Sequence, residues 1–167
     1  QPYQTISPAI PRIVSHGKVM VAAGTYNERL TISKPLELRG AQYGVDPTLA
    51  GARTAPSAES IVTESGLPTP KPDVLIEIPS GVTDVVVDGF TLHGDPTNTT
   101  ADTSALRFWD DHVTIGNNII DGMYSVLYKG NDYATVSRNR ITANKVGVTL
   151  QPSAATHLTL SGNAIQP

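Results

Sequence analysis

The sequence predicts an all-β chain wound as a parallel solenoid, and three observations carry that expectation. With 39% hydrophobic and only 5% aromatic residues, 14 Gly and 13 Pro, the composition favours short strands and frequent turns over long helices. Three segments, VTIGNNII (113–120), ATVSRNRI (134–141) and LTLSGNAI (158–165), align without gaps. Within each, apolar residues alternate along a strand, a polar bend follows, and one apolar residue resumes at a new angle. At 167 residues the chain has the size of one domain that can bury its own core.

The alignment gives each repeated element its place. Val113, Ala134 and Leu158 open a strand that continues through Ile115, Val136 and Leu160, with Thr at 114, 135 and 159 between them. Gly or Ser at 116, 137 and 161 leads to Asn118, Asn139 and Asn163, and Ile120, Ile141 and Ile165 start the next strand. VVVDGFTL (85–92) is a looser fourth copy with Phe90 in the asparagine column. The offsets between copies are 28, 21 and 24 residues, which suits a turn of about three short strands. The third strand precedes each copy, with inward pairs Leu106/Phe108, Val126/Tyr128 and Val148/Leu150. Shifting the first of these by one residue would bury Arg107. Stacked one strand apart, about 4.8 Å, Asn118, Asn139 and Asn163 are expected to form an amide ladder at one corner.

Residues 19–41, VMVAAGTYNERLTISKPLELRGA, carry Gly24, Thr25, Tyr26, Glu28, Lys34, Pro35 and Gly40 in the order strand, Gly-Thr-Tyr, acid, strand, Lys-Pro, strand, Gly. This stretch resembles the opening coils of right-handed parallel β-helix proteins of the pectin-lyase-like superfamily. The resemblance implies a right-handed parallel β-helix of about six rungs over residues 19–167. It also implies a short N-terminal helical cap within residues 1–18, where Ser7 and Pro8 suit an N-cap and first turn and Pro11 shortens or distorts the helix. The superfamily includes lyases, esterases, polygalacturonases, epimerases, tailspikes, adhesins and non-catalytic surface proteins. The fold therefore selects no activity.

Charge and composition remove several classes. Net charge is −3 and no Lys or Arg run stands out, so neither nucleic acid nor an anionic membrane surface is an expected partner. No stretch reaches the ~20 apolar residues of a membrane span. The chain has no cysteine, which excludes disulfides, thiolate metal sites and a cysteine nucleophile. A start at Gln1 without a charged, apolar leader reads as a mature secreted product, outside the cell or at its surface.

The longer excursions fall at about 42–60, 64–73 and 93–104, where loops can build a site. Tyr43-Gly44-Val45-Asp46-Pro47 is similar to the opening of an alginate-epimerase motif, but Thr48 and Leu49 follow where that motif has His and a second Asp, so a plain Asp-Pro turn is expected. Asp110 and Asp111 have the residue type of a hydrolytic carboxylate pair, yet they fall in the turn column of Asn131 and Asp132. His112, Tyr133 and His157 share one column and are expected to stack at the surface. Asp84, Asp88 and Asp95 lack the spacing of a calcium loop. Trp109, Asp110, Asp111 and Lys129 form the candidate glycan contact, and Asn98-Thr99-Thr100 is a glycosylation sequon. No catalytic set, cofactor site or metal site is assembled.

The leading expectation is a secreted, non-catalytic structural protein that associates with copies of itself through the open end formed by Leu158, Leu160 and Ile165, as a filament, array or dimer. The competing expectation is a module that binds or degrades acidic extracellular polysaccharide. An end exposed only by truncation is the third.

Overall fold

The computed structural model describes residues 3–68, 74–95, 104–122, 125–128, 133–142, 148–150 and 157–166. Through them the chain repeats one circuit of three short strands. The first circuit is β1 (Gly17–Met20), β2 (Gly24–Asn27) and β3 (Leu30–Thr31), and the second is β4 (Leu36–Arg39), β5 (Ser60–Thr63) and β6 (Val74–Ile78). The third is β7 (Val85–Asp88), β8 (Phe90–His93) and β9 (Ser104–Phe108), and the fourth is β10 (Val113–Gly116), β11 (Ile119–Asp121) and β12 (Ser125–Tyr128). The fifth is β13 (Ala134–Ser137), β14 (Arg140–Thr142) and β15 (Val148–Leu150), followed by β16 (Leu158–Ser161) and β17 (Ala164–Gln166).

Each strand pairs with its counterpart one circuit away. The result is three sheets, β1-β4-β7-β10-β13-β16, β2-β5-β8-β11-β14-β17 and β3-β6-β9-β12-β15, parallel throughout and none closed on itself. The alternation read from the repeats is the burial pattern. Leu36, Leu38, Val85, Val87, Val113, Ile115, Ala134 and Val136 are buried, while Glu37, Val86, Thr114 and Thr135 between them are half-buried. Ile120, Ile141 and Ile165 stand in one register on the second sheet. In the third sheet Phe108, Tyr128 and Leu150 are paired in register, but Ala105 and Leu106 face Val126 across a bulge, and both are buried.

A single left-handed residue turns the chain from the first sheet to the second: Gly89, Asn117, Arg138 and Gly162, with φ of 80°, 52°, 53° and 62°. At Gly89 a Cβ would lie 2.3 Å from the backbone nitrogen of Tyr43, so no larger residue fits beneath the 40–59 loop. The next position carries the asparagines. Asn118 accepts the Phe90 N–H (3.0 Å) and donates to Val87 O (3.0 Å); Asn139 accepts the Asn118 N–H (2.9 Å) and donates to Ile115 O (3.0 Å) and Asn163 Oδ1 (3.0 Å). Asn163 accepts the Asn139 N–H (2.9 Å) and donates to Val136 O (2.8 Å). In the second circuit the same column holds Ser60, in register with Phe90. Its hydroxyl accepts the Ala41 N–H at 2.8 Å and reaches Val21 O and Ala22 O at 3.0 and 2.8 Å. The side chain at this corner thus supplies partners to backbone groups that have left the strand ladder.

The expected helical cap over residues 1–18 is corrected. Among its described residues, 3–18, the segment contains only a 3-10 turn at Ile10–Arg12, and β1 already begins at Gly17. In an α-helix capped at Ser7, Pro11 would have no N–H to give the Ser7 carbonyl; in the 3-10 turn it falls among the first residues, where none is needed. Ser7 does not cap it: its N–H and hydroxyl go to Glu28 Oε2, at 2.9 and 2.5 Å, while Glu28 Oε1 accepts the Ile6 N–H at 2.6 Å. Lys34 donates to Pro11 O and Ile13 O, both at 2.9 Å. Glu28 and Lys34 thereby tie the segment across the first circuit, where Ile6 and Ile10 are buried. At the opposite end Leu158 is half-buried, and Leu160 and Ile165 are 47% and 52% exposed.

Replacing Asn139 by Leu removes partners from Asn118 N–H and Ile115 O while leaving both buried. The expected loss is about 1–3 kcal/mol for each group left unpaired. Asn163→Leu, at the exposed end of the column, is expected to cost less. Urea unfolding of the two variants against the parent chain measures the difference.

Candidate functional site

Outward-facing residues of the second sheet form two columns, because its register is unbroken. One runs Thr25, Ile61, Thr91, Ile119, Arg140; the other runs Asn27, Thr63, His93, Asp121, Thr142. Between them Tyr26, Val62, Leu92, Ile120 and Ile141 point to the core. The outer face is overhung by the 40–59 loop through Arg53, Thr54 and Pro56, and Ser65 borders it beyond β5. Together these enclose a groove of about 790 Å³ with an apolar floor at Ile61 and Ile119 and hydroxyl, amide and charged groups around it. Its volume lies in the range of small-ligand clefts.

The loop wall is locked by Arg53. Its side chain is fully shut from solvent and that of Glu59 is 5% exposed. Arg53 Nε donates to Glu59 Oε1 at 3.0 Å, Nη2 pairs with Glu59 Oε2 and donates to Phe90 O at 2.9 Å, and Nη1 donates to Asn117 O. Thr91 donates to the same Glu59 carboxylate at 2.9 Å. The guanidinium therefore joins the second, third and fourth circuits and is spent in doing so. Asp88 adds a second tie, accepting Gly44 N–H at 2.8 Å and the Asn117 amide at 2.7 Å.

Apart from the Arg53–Glu59 lock, the ionisable side chains lining the groove are the His93–Asp121 pair and Arg140. His93 Nδ1 hydrogen-bonds Asp121 Oδ1, with side chains 47% and 38% exposed. Because the carboxylate only accepts, Nδ1 is the donor, and in the neutral ring Nε2 is left as an acceptor. Arg140 lines the groove, and among the described residues its side chain has neither ion pair nor hydrogen bond.

The residues singled out by sequence lie on the other flank and are differently engaged. Trp109 Nε1 donates to Glu77 Oε1 at 3.2 Å, and Glu77 also receives Arg107 Nη2 at 2.6 Å and Arg29 Nη2 at 3.4 Å. Asp110 Oδ2 accepts the Gly81 N–H at 2.6 Å, and the Asp111 carbonyl accepts the Asp84 N–H at 3.3 Å; both link neighbouring circuits. Lys129 and Asn98 lie outside the described residues. His112, Tyr133 and His157 stack, with centroids 5.6 and 4.5 Å apart and planes within 10°. Asp46 accepts from Thr48 N–H and hydroxyl, a local turn. No group of three or more His, Cys, Asp or Glu is placed to hold a metal ion among the described residues.

No family model, curated protein or solved structure matches this chain. The site must therefore be read from its own chemistry. Sequence reasoning passed over Arg53, Glu59, His93, Asp121 and Arg140. A signal existed for His93 and Asp121, which share the column one residue beyond Leu92 and Ile120 in the same gapless alignment. None existed for Arg53, whose partners depend on the path of an aperiodic loop.

Burial alone would raise the Glu77 carboxyl, but hydrogen bonds from Arg107 and Trp109 and the charges of Arg107 and Arg29 outweigh it and hold it below the usual carboxylate range. A lowered folded value means stability present above the unfolded value and lost as pH falls through the folded one. Acid unfolding is expected to show this loss below the ordinary Glu range, and Glu77→Gln is expected to flatten it, measured as unfolding midpoint against pH.

Proposed function

We propose that the chain is a right-handed parallel β-helix of the pectin-lyase-like kind that holds an extended glycan on the outer face of its second sheet, outside the cell. The observation that carries this reading is the groove itself. Its Ile61 and Ile119 floor suits the C–H face of a sugar ring, and Asn27, Thr63 and Thr54 border that floor with hydrogen-bonding groups suited to ring hydroxyls. Arg140, whose side chain has no ion pair or hydrogen bond among the described residues, favours a sugar that bears a carboxylate. Locking of the wall by Arg53 and Glu59 supports a preformed site with little ordering cost on binding. The groove lies on a different flank from Trp109, Asp110, Asp111 and Lys129, the glycan contact expected from the sequence, of which Lys129 falls outside the described residues.

Calorimetry with a uronic-acid oligosaccharide and a neutral glucan oligosaccharide tests it. Binding of the acidic oligomer is expected, with Arg140→Gln weakening it about tenfold, the worth of one hydrogen bond to a charged group. Thr91→Trp is expected to obstruct both oligomers. Absence of binding to either by the parent chain overturns the reading.

The exposure of Leu160 and Ile165 supports a second role, association of the chain with copies of itself. The other end is covered by Ile6 and Ile10, so head-to-tail stacking is obstructed and two copies would meet through like ends as a closed pair. The same surface is where a continuing coil would sit. Light scattering of the 167-residue chain is expected to show a dimer that Leu160→Asp dissociates; a monomer at high concentration rules this role out.

A further inference from the structure

We propose that the His93–Asp121 pair makes the groove an ester-hydrolysing site that removes O-acyl groups from the glycan held there, an inference that rests on the glycan-binding reading above. The outward column places an amide, a hydroxyl, an imidazole and a carboxylate on four successive circuits: Asn27, Thr63, His93, Asp121. Neighbouring members are about 4.8 Å apart along the stack. Asp121 holds His93 through Nδ1, which fixes the ring and its tautomer and leaves Nε2 free as the base. On the other side of the imidazole, Thr63 Oγ1 accepts the Ser65 N–H at 3.1 Å, so its own proton is available to donate. The base, its orienting carboxylate and a donor for a developing oxyanion therefore follow one another in one column.

The available groups select the reaction class. Glycosidic hydrolysis uses two carboxyl groups facing the scissile bond. Here Glu59 is committed to buried Arg53, and Asp121 to His93, so no second carboxylate that lines the groove is free. An ester needs only a base for water and a donor for the oxyanion. Water adds to the acyl carbon while Nε2 of His93 takes its proton, and the carbonyl electron pair moves to the oxygen, which receives the Thr63 hydroxyl hydrogen bond. Collapse of that intermediate breaks the bond between acyl carbon and sugar oxygen. The sugar oxygen takes the proton back from the imidazolium, leaving a carboxylic acid and a free hydroxyl with no change in oxidation state. Ile61 and Ile119, in the adjacent column, give a short acyl chain an apolar seat.

The test uses the whole chain with a partly O-acetylated uronic-acid oligosaccharide, following acetate release, and measures binding of the same oligosaccharide separately by calorimetry. Acetate release by the parent chain is expected. His93→Gln is expected to lower kcat about 100-fold or more, the usual share of general-base catalysis, with binding retained. Asp121→Asn is expected to lower kcat with KM unchanged, as a positioning residue would, and Thr63→Val is expected to act on kcat in the same way. Binding without acetate release by the parent chain overturns the ester proposal and leaves the glycan reading standing, and so does undiminished release by His93→Gln. Absence of binding overturns both.

Discussion

Unslipped parallel pairing is the constraint from which the rest of this molecule follows. Side chains on a strand alternate faces, so a slip of one residue between circuits would send Val85, Val113 and Ala134 to solvent and Val86, Thr114 and Thr135 to the core. The register is held over all six strands of the first and second sheets. Each position is consequently inherited as a column. Inward columns tolerate exchange among Val, Ile, Leu and Ala because burial is non-directional. Corner columns do not, because the backbone there leaves its strand partners and needs hydrogen bonds of fixed direction. Asn meets that need in three circuits with an acceptor for one N–H and a donor for one carbonyl, and Ser60 meets it in an earlier one. Phe90, which can do neither, has its N–H taken by Asn118 and its carbonyl by Arg53.

The same constraint decides where the chain can make an excursion. Asn118, Asn139 and Asn163 each bond to an adjacent circuit, so an insertion between them and their strands would break the column. The long loop departs at the corresponding corner one circuit before Phe90, where Ser60 and the loop's own Ala41 close the gap. It returns over the second sheet because Arg53, itself at φ 52°, buries its guanidinium against Glu59 and two backbone carbonyls. A buried pair of this kind is costly to desolvate and costlier to break, since either partner left alone is an unpaired buried charge. Its return for that cost is a fixed wall. Without it the outer face of the second sheet would be a flat strip of threonines and isoleucines.

What was legible in the sequence divides along the line between periodic and aperiodic structure. The alternation at 113–115, 134–136 and 158–160, the corner asparagines and the isoleucine column recur, and recurrence is visible without coordinates. Glu28 and Lys34 were legible as members of a pattern, but not as the groups that hold the N-terminal segment, because their partners, the Ser7 hydroxyl apart, are backbone atoms of residues 6–13. The helix expected there failed on a local fact, Pro11 in its turn, and on a distant one, Ser7 drawn to Glu28. The bulge that buries both Ala105 and Leu106 breaks the period of two and could not be read from it.

For the site the division is sharper. Trp109, Asp110 and Asp111 stood out as an aromatic beside a carboxylate pair, yet the Trp109 side chain is used by the fold as donor to Glu77 and that of Asp110 as cap on Gly81, while Asp111 bonds Asp84 through its backbone carbonyl. Unusual composition marks a place where something must be satisfied, and a fold built from circuits has many such places at its turns. Outward columns on a strand carry no such obligation, because their backbone is already paired and their side chains lie outside the core, whether open to solvent as at His93 or covered as at Thr63. A polar residue there is free to be used by something else. Thr63, His93 and Asp121 occupy that kind of position, one residue beyond the buried Val62, Leu92 and Ile120, and the register that aligns the core aligns them as well. In a stack of this type, chemistry is better sought one step out from the core column than in the loops that first attract attention.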